Sequence, residues 1–174
     1  GVTVATGDTK VVAKGQCDGM YVTTAGIGLR LPGFELDQAS IGPGDAILVS
    51  GPVGDHGMAV MAARRGIRIG NPPRSDTAPV HRLVRAAQPL ADAVRFMRDP
   101  TRGGLAAVLG ELVEGSPVGV ELDEPSLPFS SPARAVAEAL GVDLLHVASE
   151  GRLVLVCAAD RAEEILELWS ELPE

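Results

Sequence analysis

Apolar and polar positions along the chain follow two periods. Over residues 1–32 they alternate in twos, through VTVATGDTKVVAKG and DGMYVTTAGIGLRL, with turn signals at Gly7–Asp8 and Asp18–Gly19. That pattern predicts strands. PGFELDQASIGPGD follows as a loop rich in Gly and Pro, and a domain boundary falls in it, between segments 1–35 and 36–174. The apolar run AILVSG predicts a buried strand, and Asp55 caps a helix over HGMAVMAARRG with Met58, Met61 and Ala62 on one face and a Gly66 stop. Ser75 or Asp76 caps a helix in TAPVHRLVRAA, and AVRFM is the next strand. GGLAAVLGELVEG spaces Leu105, Val108, Leu109 and Leu112 as a helical stripe ended by Gly115. VGVEL is a strand, and SPARAVAEALG is a helix with Ser131 as cap and Pro132 at its first position. LLHVAS and GRLVLVCAA are strands around a Glu150–Gly151 turn, and DRAEEILELWSEL closes as an amphipathic helix. Helices and strands alternate, but short strand pairs interrupt the alternation, which predicts an α+β sandwich and not a doubly wound parallel sheet.

Composition narrows the class. With 174 residues, 45% hydrophobic and 22% charged, the chain can bury a core, and three Phe, one Tyr and one Trp make that core aliphatic. A net charge of −8 argues against non-specific nucleic-acid binding. Lys occurs only at positions 10 and 14, so the basic residues are mostly Arg, a fork suited to carboxylates and phosphates. Cys17 and Cys157 match no metal-ligand spacing and read as free thiols of a reducing compartment. No apolar run is long enough to cross a membrane. The chain opens without Met on a patterned segment and stops just after a helix, which reads as a piece of something longer.

Four short motifs carry candidate chemistry. GPVGDHGM joins a strand to a helix, where outward N–H groups favour an anion; the alternative is a tight capped turn, and His56 adds an imidazole able to reach a ligand. RDPTRGG is a second corner of the same kind, in which Thr101 caps the helix and Asp99 holds Arg102 or Arg98; its plain alternative is a capped turn with a local salt bridge. In ATGDTKVV, Asp8 suits a hard cation and Lys10 a phosphate, although on this motif alone a type I' Gly–Asp turn is the better reading. In ASEGRL, Glu150 is either a partly desolvated base or a turn acid paired with Arg152. Neither a Walker A loop nor a dinucleotide fingerprint is present, and no GxSxG elbow supports a Ser/His/Asp hydrolase.

TGDTKVV, GDHGMA, RDPTRGG and ASEG, in that order, resemble the hydrogenase maturation factors of the HypE type, in the superfamily of aminoimidazole ribonucleotide synthetase and selenophosphate synthetase. The resemblance runs along essentially the whole chain. It implies the C-terminal α/β sandwich domain of the aminoimidazole ribonucleotide synthetase-like fold, preceded by the last strands of an N-terminal ATP-binding domain. It also implies an ATP- and Mg2+-dependent cytoplasmic enzyme, a homodimer, that dehydrates an S-carboxamide on a C-terminal cysteine to a thiocyanate, the source of the iron cyanide in nickel–iron hydrogenase. A HypF-like carbamoyltransferase would supply the carbamoyl group and a HypC–HypD-like scaffold would take the cyanide. Carried over by motif, Asp8 would face the metal; Lys10, Asp55, Gly57, Asp99, Thr101, Arg102 and Gly103 would face the nucleotide; Glu150, with His56 as the other candidate, would move the proton.

The family pattern also implies about a hundred residues ahead of Gly1 and a cysteine tail after the last strands. Cys17 and Cys157 fill neither place, so this chain is expected to be truncated at both ends and inactive alone. Two other readings compete: a selenophosphate- or purine-type synthetase of the same superfamily, and a non-catalytic domain that binds a maturation partner.

Overall fold

The structure, a computed structural model, describes residues 2–172. They fall into two compact units, Gly1–Arg30 and Leu31–Glu174. In the first, the described residues form no strand or helix and almost all are exposed, including Val2, Val4, Met20 and Tyr21. The strands expected over residues 1–32 are therefore not formed. A strand needs a hydrogen-bonding neighbour for its ladder, and alternation alone does not provide one.

The second unit is built on a three-stranded antiparallel sheet in the order β1 (Ala46–Val49), β3 (Val154–Cys157), β2 (Val94–Arg98). The middle strand reads VLVC and is buried at all four positions, because both its faces are covered. Val154 and Val156 meet α3 (Gly104–Val113) through Leu105, Val108 and Leu109. Leu155 and Cys157 look the other way, onto Leu83 of α2 (His81–Ala86) and Ile165 and Trp169 of α5 (Ala162–Ser170). The Trp169 indole N–H donates to the Leu83 carbonyl at 3.1 Å, which satisfies the one polar atom of a buried ring and ties α5 to α2. A third cluster joins Met58 and Ala62 of α1 (Asp55–Arg65) to Val136 and Ala137 of α4 (Ser131–Leu140) and to Leu144 and Val147. Helices on both faces of a small antiparallel sheet make the α+β sandwich that the pattern predicts.

Several boundaries differ from expectation. VGVEL is not a strand, and LLHVAS begins with a 3-10 turn, Leu144–His146, capped by the Asp143 side chain, which accepts from the Leu145 N–H at 2.9 Å. The helix α2 starts at His81, not at Thr77, so neither Ser75 nor Asp76 caps it. Ser130, one residue before the expected cap, accepts from the Ala133 N–H at 3.2 Å and begins α4. The caps of α1 and α3 are the left-handed Gly54 and Gly103, so Asp55 and Thr101 do not serve as side-chain caps.

Candidate functional site

Two strand-to-helix corners, Gly51–Asp55 after β1 and Asp99–Gly103 after β2, lie at the same end of the sheet's neighbouring helices α1 and α3. The segment 144–151 runs between them and is held by both. Ser149, fully buried, donates its N–H to the Pro100 carbonyl at 3.0 Å and accepts the Gly54 N–H on its hydroxyl oxygen at 2.8 Å. One residue thus joins the two corners, through its backbone N–H on one side and its hydroxyl on the other.

Glycines set how close this approach is. A Cβ on Gly57 would lie 2.4 Å from a Val147 methyl, and one on Gly104 would lie 2.5 Å from the Leu145 carbonyl oxygen and 2.7 Å from the Val147 nitrogen. Gly57 donates its N–H to the Ala148 carbonyl at 3.0 Å. The amide expected to face phosphate is thus bonded to the 147–148 segment, against which Gly57 packs. The N–H groups of Asp55 and His56, the two residues before it, have no acceptor among the described residues, as the first turn of a helix leaves them.

The side chains at the first corner are fixed. Asp55 is buried and its carboxylate accepts from the Ser130 hydroxyl at 2.5 Å, so the acid ties α1 to the start of α4. His56 is half-buried, with Nδ1 at 2.9 Å from the Ser75 hydroxyl, which in turn lies 2.7 Å from that of Thr77. At the second corner Asp99 and Arg102 are exposed, and among the described residues neither makes an ion pair. Arg98 pairs instead with Glu111, in the last turn of α3. The expectation that Asp99 orients an arginine is thus not met, and Arg102 stands beside the half-buried Thr101 as an uncommitted cation.

Glu150 follows Ser149 and is exposed, not partly desolvated as a turn between two apolar strands would leave it. Arg152 does not pair with it: the guanidinium donates to the Pro52 carbonyl at 2.9 Å. The Glu150 peptide is held from elsewhere, its N–H donating to Oδ1 of the buried Asp76 at 2.8 Å. Asp8 and Lys10 belong to the Gly1–Arg30 unit and are exposed there. Among the described residues no group of three or more His, Cys, Asp or Glu could hold a metal ion, and no helix is long and apolar enough to cross a membrane.

A small antiparallel sheet with paired helices, and glycine corners drawn to one end of it, defines a class. The chain belongs to the AIR synthase related proteins, matching the C-terminal domain of that family over residues 42–174. Within this class it is similar to HypE proteins. It is 45% identical over 174 residues to the carbamoyl dehydratase HypE of Azotobacter vinelandii, covering 100% of this chain and 51% of that protein. The HypE–HypF complex superposes with a TM-score of 0.76 at 40% identity, covering 79% of this chain and 45% of that one. The hydrogenase maturation protein HypE in complex with ATP superposes with a TM-score of 0.73 at 34% identity, over 78% of this chain and 41% of that one. The chain spans about half the length of the curated relatives it matches.

Proposed function

We propose that this chain supplies the C-terminal side of an ATP-dependent carbamoyl dehydratase of hydrogenase maturation. The observation that carries the reading is the convergence of the two corners and the Ser149–Glu150 turn through the bonds of Ser149. The similarity to a HypE solved with ATP supports nucleotide as the ligand. The reaction turns a cysteine S-carboxamide into a thiocyanate: the amide oxygen leaves on phosphate, and both nitrogen protons are removed. ATP supplies the phosphoryl group that makes that oxygen a leaving group.

The remaining work falls to the chain. Arg102, which makes no ion pair among the described residues, is a cation for an anionic ligand, with Thr101 next to it in the chain, and the N–H groups of Asp55 and His56, without acceptors among the described residues, add donors at the first corner. Asp99 and Gly103 shape the approach to Arg102, and Asp55 holds its corner by bonding Ser130. Glu150, open to solvent on a held peptide, takes the nitrogen protons; His56, oriented by Ser75, is the other proton carrier. Lys10 is assigned to the nucleotide. Asp8 is a single carboxylate and the described residues do not by themselves fit a resident metal, so Mg2+ is taken to come with the nucleotide and no step is assigned to it.

The carbamoyl-accepting cysteine is neither Cys157, which is fully buried in the sheet, nor Cys17 of the first unit. A HypF-like carbamoyltransferase as donor, a HypC–HypD-like scaffold as acceptor, a homodimer and a cytoplasmic setting complete the reading. The similarity to a HypE solved with HypF supports the first of these.

The test uses this chain joined to the residues of the Azotobacter vinelandii relative that it does not cover. Glu150→Gln in that completed protein is expected to bind ATP as before and to leave the carbamoylated cysteine intact, read by mass spectrometry as failure to lose one water. Undiminished loss of water would end the assignment of Glu150.

A further inference from the structure

One buried acid, which holds the Glu150 peptide, has no assigned role of its own so far. Asp76 lies in the loop before α2, between the exposed Ser75 and Thr77, yet is itself only 7% exposed. Its Oδ1 accepts the Glu150 N–H, and its Oδ2 has no hydrogen-bond partner among the described residues. Taking a carboxylate out of water with one oxygen unpaired is costly, and a turn amide can be satisfied far more cheaply by solvent. The contact is nevertheless pressed tight. A Cβ on Gly151 would lie 2.0 Å from the Asp76 carbonyl oxygen and 2.4 Å from the Ala78 nitrogen, so the 76–78 backbone lies directly against the Glu150–Gly151 turn. The residue before Asp76 reaches the other proton-handling candidate, since the Ser75 hydroxyl meets His56 Nδ1.

We propose that the Ser75–Asp76 pair is the positioning element of the site: Asp76 fixes the peptide that carries Glu150, and Ser75 orients His56. This rests on the reading of Glu150 as the base. Asp76 acts through Glu150 and touches no substrate, so it is a positioning residue. Its bond to the Glu150 N–H is charge-assisted and stronger than the same bond from a neutral amide. The order of function is therefore Asp76, then Asp76→Asn, which keeps an acceptor without the charge, then Asp76→Ala, which keeps neither.

Amide exchange by NMR on the 174-residue chain tests the contact without reference to catalysis. Exchange at Glu150 is expected to rise at least tenfold in Asp76→Ala and to return most of the way in Asp76→Asn; unchanged exchange in Asp76→Ala would overturn the proposal. In the completed protein, Asp76→Ala is expected to lower kcat at least tenfold with the KM for ATP within twofold, and Asp76→Asn to recover most of it. Equal losses in both variants, or a KM that rises as kcat falls, would also overturn it. Should Asp76→Ala not fold, Asp76→Asn beside Ser75→Ala carries the comparison, each expected to lower kcat alone. Normal kcat in both would count against it. Normal turnover in Glu150→Gln would instead remove the reading beneath the proposal, an outcome separate from the exchange result.

Discussion

Ser149, Asp55 and Asp76 each spend a polar group on a partner far along the chain, and none of those bonds could be read from the motif around it. The Asp76–Glu150 contact joins positions 74 apart, and the Asp55–Ser130 bond joins positions 75 apart. The motifs gave up the identity of the corner residues because Gly, Asp, Thr and Arg beside a helix start are a local pattern. They did not show that the Gly57 N–H is bonded to Ala148, or that Asp99 makes no ion pair among the described residues, because whether an amide or an acid is free depends on what packs over it. Cys157 is a case where surroundings decide chemistry: burial, with Asp45 adding and Arg95 opposing, pushes its thiol from 9.0 to about 11. At pH 8 a thiol reagent is expected to modify Cys17 and spare Cys157 in the native chain, and to modify both in denaturant. The folded state holds the Cys157 proton more tightly than the unfolded chain, so this stabilisation is complete below pH 9.0 and is lost as pH rises towards about 11. The loss approaches about 1.4 kcal/mol per pH unit in that window. Denaturant titrations of Cys157→Ala across the window should lack that slope; the same slope in the variant would refute the cause.

The helices α1, α3, α4 and α5 and all three strands stand near where the periodicity puts them, since each covers an apolar face that its own sequence displays. The failures have two causes. VGVEL and residues 1–32 have strand-like alternation without a ladder partner, and LLHVAS is turned by the Asp143 cap, a signal that Asp before an apolar pair does carry. The glycines of α3 give a test at this scale. Gly104 has φ +62° and no room for a Cβ against the 145–147 backbone, whereas Gly110 of the same helix has nothing within 4 Å. Gly104→Ala is expected to destabilise by about 2–4 kcal/mol, from overpacking and left-handed backbone together. Gly110→Ala should stabilise by roughly 0.5–1 kcal/mol through helix propensity. Urea unfolding of the two variants measures both; equal effects would mean that α3 does not rest on the 145–147 backbone.

Across the whole molecule the family was legible from four motifs in order, while the arrangement that makes a site was not. Sequence order puts TGDTKVV first and ASEG last, but only the fold shows that GDHG, DPTRGG and ASEG share the bonds of Ser149. The chain spans about half the length of its relatives, so Lys10 and Asp8 are tested best in the completed protein. In the proposed function the Thr101–Arg102 corner receives the phosphates of ATP. Calorimetric titration of ATP with Mg2+ into the completed protein, and into its Arg102→Ala variant, measures this directly. Binding that weakens at least about tenfold in the variant, as expected for losing a charge-assisted contact, is the predicted result. Absence of binding to the completed protein, or equal binding by both, would contradict it.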